Sequence, residues 1–538
     1  MRERRKLIFL SLSDLVISIT DILSLAALLW IIQFYIQPAS GQSAILKGKV
    51  SRESFWPIII FFALFSAKNI IAFVITRWQY NFTAQVAVRL SKNALLAFQN
   101  ISYKEYVEED SSAYIKRIAF QPFEFCQYVL GGIQQLFTQL SLILIASIAI
   151  TIFNAQLFLL LLLILLPPAA LVFYFIKRKL EKTRLEVQQS NQDSFRSLLD
   201  ALKGWVEGHL YARHSFFLKR FIAFRKKFSH AMFQSLSWQS LPGRFIEIFA
   251  VMGLFLLIVI ARWYGQEDSE SFLTIGAFMA AAYKIIPGVV KIINVSGQIK
   301  AYENSLALLR LSDIDHATEK GTSKPVQSII CENLSFQYGE QFILQNIDLA
   351  INAGDFIGIK GRSGTGKTTL INLLLGFLEP QEGCIKINGC ARHSVGLKNY
   401  WSRVAYVRQQ SFFIHDTVLE NITLGETHAE RQRIDQAIKV SGIQEMLEET
   451  GEGLDKIIME NGKNISGGQQ QRIAIARSLY KDADVYLLDE PFNELDEFSE
   501  KKLLIHFRDL ARKGKIVVMI THNTSSFSYC NKIISLDD

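Results

Sequence analysis

The stretch GRSGTGKT, residues 361–368, decides the fold of the carboxyl-terminal half of the chain. It follows the apolar segment FIGIK at 356–360 and precedes the helical pattern TLINLLL at 369–375. A glycine-rich loop between a strand and a helix is a P-loop arrangement, in which backbone N–H groups surround phosphates at a helix amino terminus. The pattern therefore predicts an α/β nucleotide-binding domain. The predicted ATP-binding residues here are Gly361, Arg362, Ser363, Gly364, Thr365, Gly366, Lys367, Thr368 and Thr369.

Two residues of this loop and two residues farther along the chain carry the predicted chemistry. Lys367 is expected to reach the β and γ phosphates of ATP, and the Thr368 hydroxyl is expected to bind Mg²⁺. A second apolar strand at 485–488 ends in Asp489 and Glu490. Asp489 is predicted to hold Mg²⁺ through water, and Glu490 is predicted to polarise the attacking water as general base. The predicted cofactors are therefore ATP and Mg²⁺.

The motif ISGGQ lies between these two elements and opens a helical segment at 470–477. Its residues are Ile465, Ser466, Gly467, Gly468 and Gln469. A glycine turn at a helix amino terminus offers N–H groups and a serine hydroxyl to an anion. With this motif the sequence resembles the ATP-binding cassette (ABC) transporter family, whose signature is LSGGQ, and the resemblance covers nearly the whole chain. It implies that the signature of one subunit closes over ATP held by the P-loop of another.

The remaining motifs of the family are found in order along the chain. The resemblance implies that Tyr338, in the segment FQY, stacks on adenine. It implies that Gln409 senses Mg²⁺ and the γ-phosphate, and that His522, after the strand at 516–519, contacts the γ-phosphate. Asp496 closes the segment that resembles the D-loop. With Lys367 and Glu490, the residues Gln409 and His522 complete the predicted catalytic set.

Four positions depart from the family pattern. Ile465 replaces the leucine of the signature, and Arg408 stands where proline is common, on a surface that the resemblance places against the membrane domain. Asn493 and Glu494 stand where the family often has serine and alanine. The hydrolytic motifs are otherwise intact in one chain, which favours a homodimer over pairing with a related half-transporter.

The amino-terminal half has a different composition. The whole chain is 50% hydrophobic and only 20% charged, which is too apolar for an ordinary soluble protein. Stretches of about 20 apolar residues predict membrane-spanning helices, because only a helix satisfies its own backbone groups in hydrocarbon. Six such stretches lie at 12–36, 55–77, 125–153, 157–176, 245–264 and 272–294.

These features define the predicted fold class. It is an all-α six-helix transmembrane domain of the ABC exporter type, followed by an α/β P-loop nucleotide-binding domain. The predicted boundaries are 1–311 for the transmembrane domain, 312–327 for a linker and 328–538 for the nucleotide-binding domain. Within the first domain, residues 103–112 and 204–207 resemble the coupling helices that rest on nucleotide-binding domains in exporters of this type.

The net charge of +8 is interpreted through the membrane. The basic amino terminus and the long basic connections at 78–124 and 177–244 lie on one side, which the positive-inside rule assigns to the cytoplasm. We therefore predict an integral protein of a bacterial inner membrane, with both termini and the nucleotide-binding domain cytoplasmic and no nucleic acid partner. The five cysteines have neither the density nor the spacing of a disulfide framework or a zinc site.

Charged residues within the predicted spans allow two interpretations. Asp21 and Lys68 are each about nine residues from the inner end of their spans, so they predict an ion pair between neighbouring helices. Alternatively, Lys68 lines a cavity with Lys284 and Lys291 and contacts an anionic cargo group. Lys284 and Lys291 are seven residues apart and share a helix face.

The predicted function is ATP-driven export or flipping of an amphiphilic, anionic lipid or lipid-linked glycan. The segments at 238–247 and 280–287 resemble those of lipid-linked oligosaccharide flippases and related lipid or polysaccharide exporters. The alternatives are a multidrug or peptide exporter of the same architecture, and a membrane regulator or nucleotide-gated pore. The absence of a peptidase domain before the first span disfavours a processing peptide exporter. The chain ends at Asp538, soon after a predicted strand, so we expect no further carboxyl-terminal tail.

Overall fold

The computed structural model describes residues 2–36, 54–153, 155–263, 269–302, 324–392 and 394–537. The chain divides into two compact units. The first consists of Met1–Ile101 and Glu108–Asp315, and the second of Ser102–Val107 and His316–Asp538. The predicted linker at 312–327 lies mostly outside the described residues.

Long helices form the first unit, because its sequence has apolar runs without strand punctuation. The helices of the amino-terminal half are α1 (Arg2–Ile36), α2 (Trp56–Asn100), α3 (Tyr103–Glu108), α4 (Ser111–Ile115), α5 (Gln121–Glu124), α6 (Gly131–Phe153), α7 (Ala155–Lys203), α8 (Trp205–Leu210), α9 (His214–Trp263) and α10 (Ser269–Tyr302). The six predicted spans lie within α1, α2, the helical run that ends in α6, α7, α9 and α10, except that Phe55 precedes α2 and residue 264 lies outside the described residues. Among the described residues, four segments are long and apolar enough to cross a membrane, namely Ile8–Leu28, Trp56–Asn100, Ser111–Ile152 and His214–Leu256.

Three of these helices are much longer than a membrane is thick. Helices α2, α7 and α9 contain 45, 49 and 50 residues. At the helical rise of 1.5 Å they are roughly 70 Å long, compared with about 30 Å for the hydrocarbon core. The helices therefore continue well beyond the predicted spans, as the amphipathic patterns of the two long basic connections indicate. Ile176, Leu180, Ile246 and Ile293 form a buried cluster where α7, α9 and α10 pack together.

The helical run that ends in α6 is interrupted by two π-helical segments, Lys116–Phe120 and Phe125–Leu130. Helix α5 lies between them and carries Pro122 in its first turn. Proline has no backbone N–H to donate, so an irregular hydrogen-bond ladder is expected nearby. The sequence analysis did not predict these segments, because an apolar run does not reveal a local change in helical pitch.

Strands and shorter helices form the second unit. Its strands are β1 (Ser328–Tyr338), β2 (Gln341–Asn352), β3 (Phe356–Lys360), β4 (Glu382–Ile387), β5 (Cys390–Arg392), β6 (Val404–Val407), β7 (Asp416–Thr417), β8 (Ile457–Ile458), β9 (Val485–Asp489), β10 (Ile516–Ile520) and β11 (Lys532–Ser535). Its later helices are α11 (Lys367–Leu374), α12 (Ser394–Lys398), α13 (Val418–Thr423), α14 (Arg431–Ser441), α15 (Gln444–Thr450), α16 (Gly467–Tyr480) and α17 (Glu497–Arg512).

The five-stranded sheet is parallel and has the order β11-β3-β10-β9-β6. A second sheet, β2-β1-β4-β5, is antiparallel, and β7 pairs with β8. Strands β9 and β10 are buried at every position, as expected for central strands of a parallel sheet covered on both faces. The register aligns Asp489 with Ile520, and Ile520 with Ile359. The loops after β3, β9 and β10 consequently meet at one edge of the sheet, where ligands bind in folds of this type.

Candidate nucleotide site

The P-loop follows β3 and ends at Gly366, which is the N-cap of α11. Gly366 has φ +90°, and a Cβ atom there would lie 2.7 Å from Ile343 Cγ2. A Cβ atom at Gly361 would lie 2.5 Å from Thr365 Oγ1. These two positions therefore require glycine, one for its backbone conformation and both for space. The predicted order of strand, loop and helix is confirmed.

Lys367 lies at the start of α11 and is only 7% exposed. Its Nζ donates hydrogen bonds to the carbonyl oxygens of Gly361 and Arg362, both at 2.7 Å. A buried ammonium needs such partners, because burial without them is costly. The two contacts hold the ammonium group against the backbone of the loop. The N–H donors at the amino terminus of α11 lie beside it.

A hydroxyl and a carboxylate meet beside the loop. Thr368 Oγ1 donates a hydrogen bond of 3.2 Å to Asp489 Oδ2, and Asp489 is 3% exposed at the end of β9. Burial raises the pKa of Asp489, and hydrogen bonds from Thr368 and Tyr406 oppose this effect. Oxygen ligands of this kind suit Mg²⁺, which would also offset the cost of a buried carboxylate. Thr368 and Asp489, two of the three residues predicted to face Mg²⁺ with Gln409, are therefore adjacent and chemically suitable.

Tyr406, in the neighbouring strand β6, is a site residue that the sequence analysis missed. Its hydroxyl is hydrogen-bonded to Asp489, and burial together with the Asp489 charge raises the pKa of Tyr406. A tyrosine with a raised pKa remains a neutral donor at physiological pH, so it orients the carboxylate. The alternation of β6, in which Ala405 and Val407 are buried, leaves Tyr406 on the opposite face and was the available signal.

Glu490 accepts hydrogen bonds from Gln409 and Asn493, and His522 lies close to its other carboxylate oxygen. Gln409 Nε2 lies 2.9 Å from Glu490 Oε2, and Asn493 Nδ2 lies 2.6 Å from the same oxygen. His522 Nε2 lies 3.2 Å from Glu490 Oε1. Glu490 has φ +51°, a conformation that non-glycine residues rarely adopt and that clusters at functional sites. The structure thus brings together Gln409, Glu490 and His522, while the contact from Asn493 was not predicted.

The loop that carries His522 is attached to a buried carboxylate. Glu500, in α17, is 9% exposed and accepts hydrogen bonds from Asn523 Nδ2 at 3.2 Å and from Ser526 Oγ at 2.5 Å. Asn523 is next to His522, so this attachment limits the positions that the imidazole reaches. The sequence contains no local pattern for this contact, because it joins residues 23 and 26 positions apart.

Tyr338 ends β1 and is 52% exposed. It packs edge-on against Phe336, with ring centroids 4.9 Å apart and an interplanar angle of 85°. Burial of the hydroxyl raises the pKa of Tyr338, and a hydrogen bond with Thr369 of α11 lowers it by less. An exposed aromatic ring anchored next to the P-loop offers a stacking surface, while the contact with adenine remains a prediction.

The signature motif forms the start of α16. Ser466 Oγ accepts a hydrogen bond from Gln469 N at 3.3 Å, and Gln469 Oε1 accepts one from Ser466 N at 3.0 Å. This reciprocal pair is a capping box, which satisfies two N–H groups of the helix terminus. Within the part of the chain that the structure describes, no hydrogen bond joins the signature to the P-loop. The structure of one subunit therefore does not bring these two motifs together.

Asp496 of the D-loop segment also caps a helix. It is the N-cap of α17 and accepts hydrogen bonds from Ser499 N at 2.9 Å and Ser499 Oγ at 2.6 Å. Arg472 of α16 lies 3.2 Å from Asp496 Oδ2. The bonds from Ser499 and the charge of Arg472 lower the pKa of Asp496. Asp496 thus links the D-loop to the signature helix.

The three lysines assigned to a substrate cavity have different environments. Lys68 Nζ lies 2.5 Å from Asp21 Oδ1, so the predicted ion pair is confirmed. Lys291 lines a cavity of about 500 Å³ within the membrane unit, and Lys68 is not among the residues that line it. The side chain of Lys284 lies outside the described residues.

Two family models match the chain. The model described as the ABC transporter transmembrane region matches residues 5–283, and the model described as ABC transporter matches residues 344–493. The first match alone covers more than half of the 538 residues. The chain belongs to the ABC transporter family. Its described elements accordingly form the helical transmembrane domain and the α/β nucleotide-binding domain of that family.

Curated relatives and a solved structure agree with this assignment. This ABC transporter is 30% identical over 301 residues to a probable ABC transporter ATP-binding/permease protein of Haemophilus influenzae, a match that covers 54% of this chain and 53% of the relative. It is 28% identical over 368 residues to an ATP-dependent lipid A-core flippase of Alkalilimnicola ehrlichii, which covers 67% and 62% of the two chains. The chain thus spans about half to three fifths of the length of these relatives.

The fold comparison extends over the entire chain. A bacterial Atm1-family ABC exporter with ATP bound superimposes with a TM-score of 0.81 at 19% identity, covering 100% of this chain and 93% of the other. At this identity the similarity shows the fold alone. The integral membrane character of the ABC transporter follows from its transmembrane domain and from the long apolar helices.

Proposed function

We propose that this ABC transporter uses ATP binding and hydrolysis to export or flip an amphiphilic cargo, an anionic lipid or a lipid-linked glycan, across the bacterial inner membrane. The observation that supports the ATPase step is the convergence of Gln409, Asn493 and His522 on Glu490, beside the P-loop. A general base must be held within reach of the proton that it abstracts, and these contacts hold the carboxylate at the strand end.

In the proposed reaction, Lys367 and the N–H groups of the P-loop bind the phosphates of ATP. Glu490 accepts a proton from the water that attacks the γ-phosphorus, and Gln409 and His522 orient that water and the γ-phosphate. Thr368 and Asp489 would hold Mg²⁺, with Gln409 near by. Bound Mg²⁺ neutralises the negative charge that develops on the transferring group.

We propose that the active form is a dimer, either of two copies or of this chain with a related half-transporter. The signature of one subunit would then face the P-loop of the other, which accounts for the lack of a hydrogen bond between them within one subunit. Helix α8 supports this proposal, because Trp205 and Leu210 are 63% and 77% exposed on a short helix where a coupling helix is expected. In a dimer this apolar surface would rest on a nucleotide-binding domain.

ATP binding would favour one arrangement of the membrane helices, and loss of the γ-phosphate would favour the other. A nucleotide shifts such an equilibrium only by its differential affinity for the two states. That difference would come from the two sites that close at the dimer interface. The charge distribution supports a cytoplasmic position for both termini and for the nucleotide-binding domain.

Two observations support lipid or lipid-linked cargo. Relatives in Alkalilimnicola ehrlichii and Burkholderia pseudomallei are named lipid A-core flippases. The membrane unit contains a cavity with a polar lining and a lysine, adjacent to lipid-facing apolar helices. An amphiphile places its head group in such a cavity while its chains remain in hydrocarbon.

The proposal is tested by purified protein in vesicles that contain a fluorescent phosphatidylglycerol or a fluorescent polyprenyl-diphosphate disaccharide. ATP should change the fraction of probe that an impermeant quencher reaches, and Glu490→Gln protein should leave it unchanged. Flux of a small ion down its gradient that continues in Glu490→Gln protein would instead identify a nucleotide-gated pore. Uptake of a cationic drug without movement of either lipid would identify a multidrug exporter.

A further inference from the structure

The membrane unit contains a cavity with a largely polar lining. Its volume is about 500 Å³, within the range of roughly 300–1,000 Å³ that holds small ligands. Helices α1 and α2, the helical run from α5 to α6, and α10 surround it. Its polar lining comprises Asp14, Thr76, Gln79, Tyr80, Thr83, Gln127, Gln134, Gln135, Thr138, Gln139 and Lys291.

Neutral amides and hydroxyls dominate this lining. Thr76, Gln79 and Thr83 are three or four residues apart and so occupy one face of α2. A second row on the neighbouring helix contains four glutamines and Thr138. Each glutamine both donates and accepts hydrogen bonds, and each threonine hydroxyl does the same. This is the chemistry that matches a ligand with many hydroxyl or amide groups.

Asp14 organises one side of the cavity. It is 6% exposed, and it accepts hydrogen bonds from Gln79 Nε2 at 2.7 Å and from Thr138 Oγ1 at 3.0 Å. An ionisable residue among membrane helices is expensive and usually marks a functional site. Its two donors come from different helices, so the carboxylate fixes the relative orientation of the two rows.

Gln134 provides the second, independent observation. It is 7% exposed, and its Nε2 has no hydrogen-bond partner among the described residues. An unsatisfied buried polar group costs about 1–3 kcal/mol. A cavity residue that retains this cost is expected to have a partner when ligand or water is bound.

Among the described residues, the cavity lining contains one cation, Lys291, and one carboxylate, Asp14. Lys291 is exposed, lines the cavity and forms no ion pair within the described ranges. Lys68 is neutralised by Asp21 outside the cavity. A cargo head group with several phosphates would therefore find one available cation and many neutral donors. A glycosyl group joined to lipid through a single phosphate fits this distribution better.

The depth of the cavity supports a lipid head group. Asp14, Gln79 and Gln127 each lie two residues from the cytoplasmic end of a predicted span. Tyr80 and Phe123 also line the cavity and are 69% and 61% exposed, so they offer aromatic faces to the apolar face of a sugar ring. Acyl or prenyl chains at this level extend into the hydrocarbon.

We propose that this cavity binds the glycosyl head group of the cargo, with the glutamine rows contacting hydroxyl and amide groups and Lys291 contacting the linking phosphate. The proposal rests on the proposed function, since it assumes that the cavity belongs to the transport path. It assigns recognition mainly to neutral hydrogen bonds, with Lys291 in a secondary role.

The test measures binding to full-length protein in nanodiscs, without nucleotide, by microscale thermophoresis. Fluorescent dodecyl maltoside and dodecyl phosphate are the probes, because they share a chain and differ in head group. Gln134→Met conserves volume and removes an unsatisfied amide, so the protein should retain its melting temperature. We expect Gln134→Met to weaken maltoside binding about tenfold, the effect of losing about 1.4 kcal/mol. Asn69→Leu is the control, since Asn69 donates a hydrogen bond to Phe65 O of its own helix and does not line the cavity.

Lys291→Ala should weaken dodecyl phosphate binding and leave maltoside binding within twofold. Equal maltoside affinity in wild-type and Gln134→Met protein would overturn the proposal, as would affinities that depend on the alkyl chain alone. Loss of maltoside affinity in Gln134→Met protein, together with wild-type protein that shows no ATP-dependent movement of either fluorescent lipid, would refute the proposed function while leaving the site intact. ATP-dependent lipid movement that is unaffected in Gln134→Met protein would refute the proposed cargo site while leaving the proposed function intact.

Discussion

Asn493 Nδ2 lies 2.6 Å from Glu490 Oε2, so the proposed base is bonded to a residue of its own loop at a position where the family often has serine. The same oxygen also accepts a hydrogen bond from Gln409. A carboxylate oxygen with two donors has little capacity left for the proton of a water molecule. In the proposed mechanism, Asn493 would therefore be a positioning residue that competes with the attacking water for Glu490 Oε2.

Substitution Asn493→Ser should increase kcat for ATP hydrolysis by roughly two- to fivefold, equivalent to about 0.4–1 kcal/mol, with KM for ATP unchanged. The shorter side chain frees a lone pair on Glu490 and leaves the phosphate contacts intact. Steady-state kinetics on vesicle-reconstituted protein measure the two parameters. Asn493→Asp is the matched variant, and it should lose activity because it places a second carboxylate beside the first. A fall in kcat in Asn493→Ser would show that the amide assists the water.

Substitution Glu490→Gln should preserve ATP binding and reduce turnover by roughly 10²–10⁴-fold, the usual contribution of a general base. The amide retains the shape of the side chain but has no proton-accepting oxygen of comparable strength. Filter binding of labelled ATP and phosphate release measure the two effects separately. Turnover within threefold of wild type would remove Glu490 from the proposed mechanism.

Substitution Tyr406→Phe should increase the Mg²⁺ concentration needed for half-maximal ATPase activity by roughly tenfold. Tyr406 bonds Asp489, and loss of an outer partner of a metal ligand typically costs 10–100-fold in metal affinity or activity. Titration of ATPase activity with Mg²⁺ at saturating ATP gives the value. Tyr400→Phe serves as the comparison, since it makes the same substitution at a tyrosine that lies just before the Trp401–Arg403 turn and is not one of the site residues. An unchanged Mg²⁺ requirement would show that Asp489 keeps its orientation without Tyr406.

Substitution Asp489→Asn should raise the melting temperature of nucleotide-free protein at pH 7 while abolishing Mg²⁺-dependent hydrolysis. Burial raises the pKa of Asp489 in the folded state. At low pH Asp489 is protonated in both the folded and the unfolded protein, so burying it carries no charge penalty. As pH rises through the unfolded pKa near 3.9 and then through the folded pKa, the buried carboxylate ionises and lowers the free energy of unfolding. The two proteins should therefore converge in melting temperature towards pH 4.

Differential scanning fluorimetry between pH 4 and 8 checks this convergence. The control is Asp435→Asn, because Asp435 is an exposed partner of Arg431 in α14 and should change stability little at any pH. A lower melting temperature of Asp489→Asn at pH 7 would show that the hydrogen bonds from Thr368 and Tyr406 outweigh the burial of the charge.

Much of the site was predictable because its motifs are local. Short sequence patterns predict a backbone conformation or a charge at three places. These are the glycines of the P-loop, the carboxylates at the end of β9 and the glycine turn of the signature. The ion pair between Asp21 and Lys68 was also predictable, since both residues lie at one depth in apolar helices and neither is stable there alone.

The contacts that were missed depend on the order of strands and on helix geometry. Tyr406 reaches Asp489 because β6 pairs with β9, which joins residues more than 80 positions apart. Glu500 holds the loop of His522 because α17 packs beside that loop. The cavity forms where α1, α2 and α6 pack together. Because its polar residues come from separate helices, no single segment of sequence predicts it. No short sequence motif marks any of these contacts, because each one depends on the three-dimensional fold.

The capping box of the signature helix has a consequence for assembly. Ser466 and Gln469 already hold each other in one subunit, so their rotamers are ordered when the domain folds. Ordering a side chain at an interface costs roughly 0.5–1.5 kcal/mol, and this entropy loss does not recur when a second subunit arrives. In the proposed dimer, the face presented to the opposite nucleotide would therefore be preorganised. Association of the two subunits would then depend on the ATP between them, with little need for the motif itself to change shape.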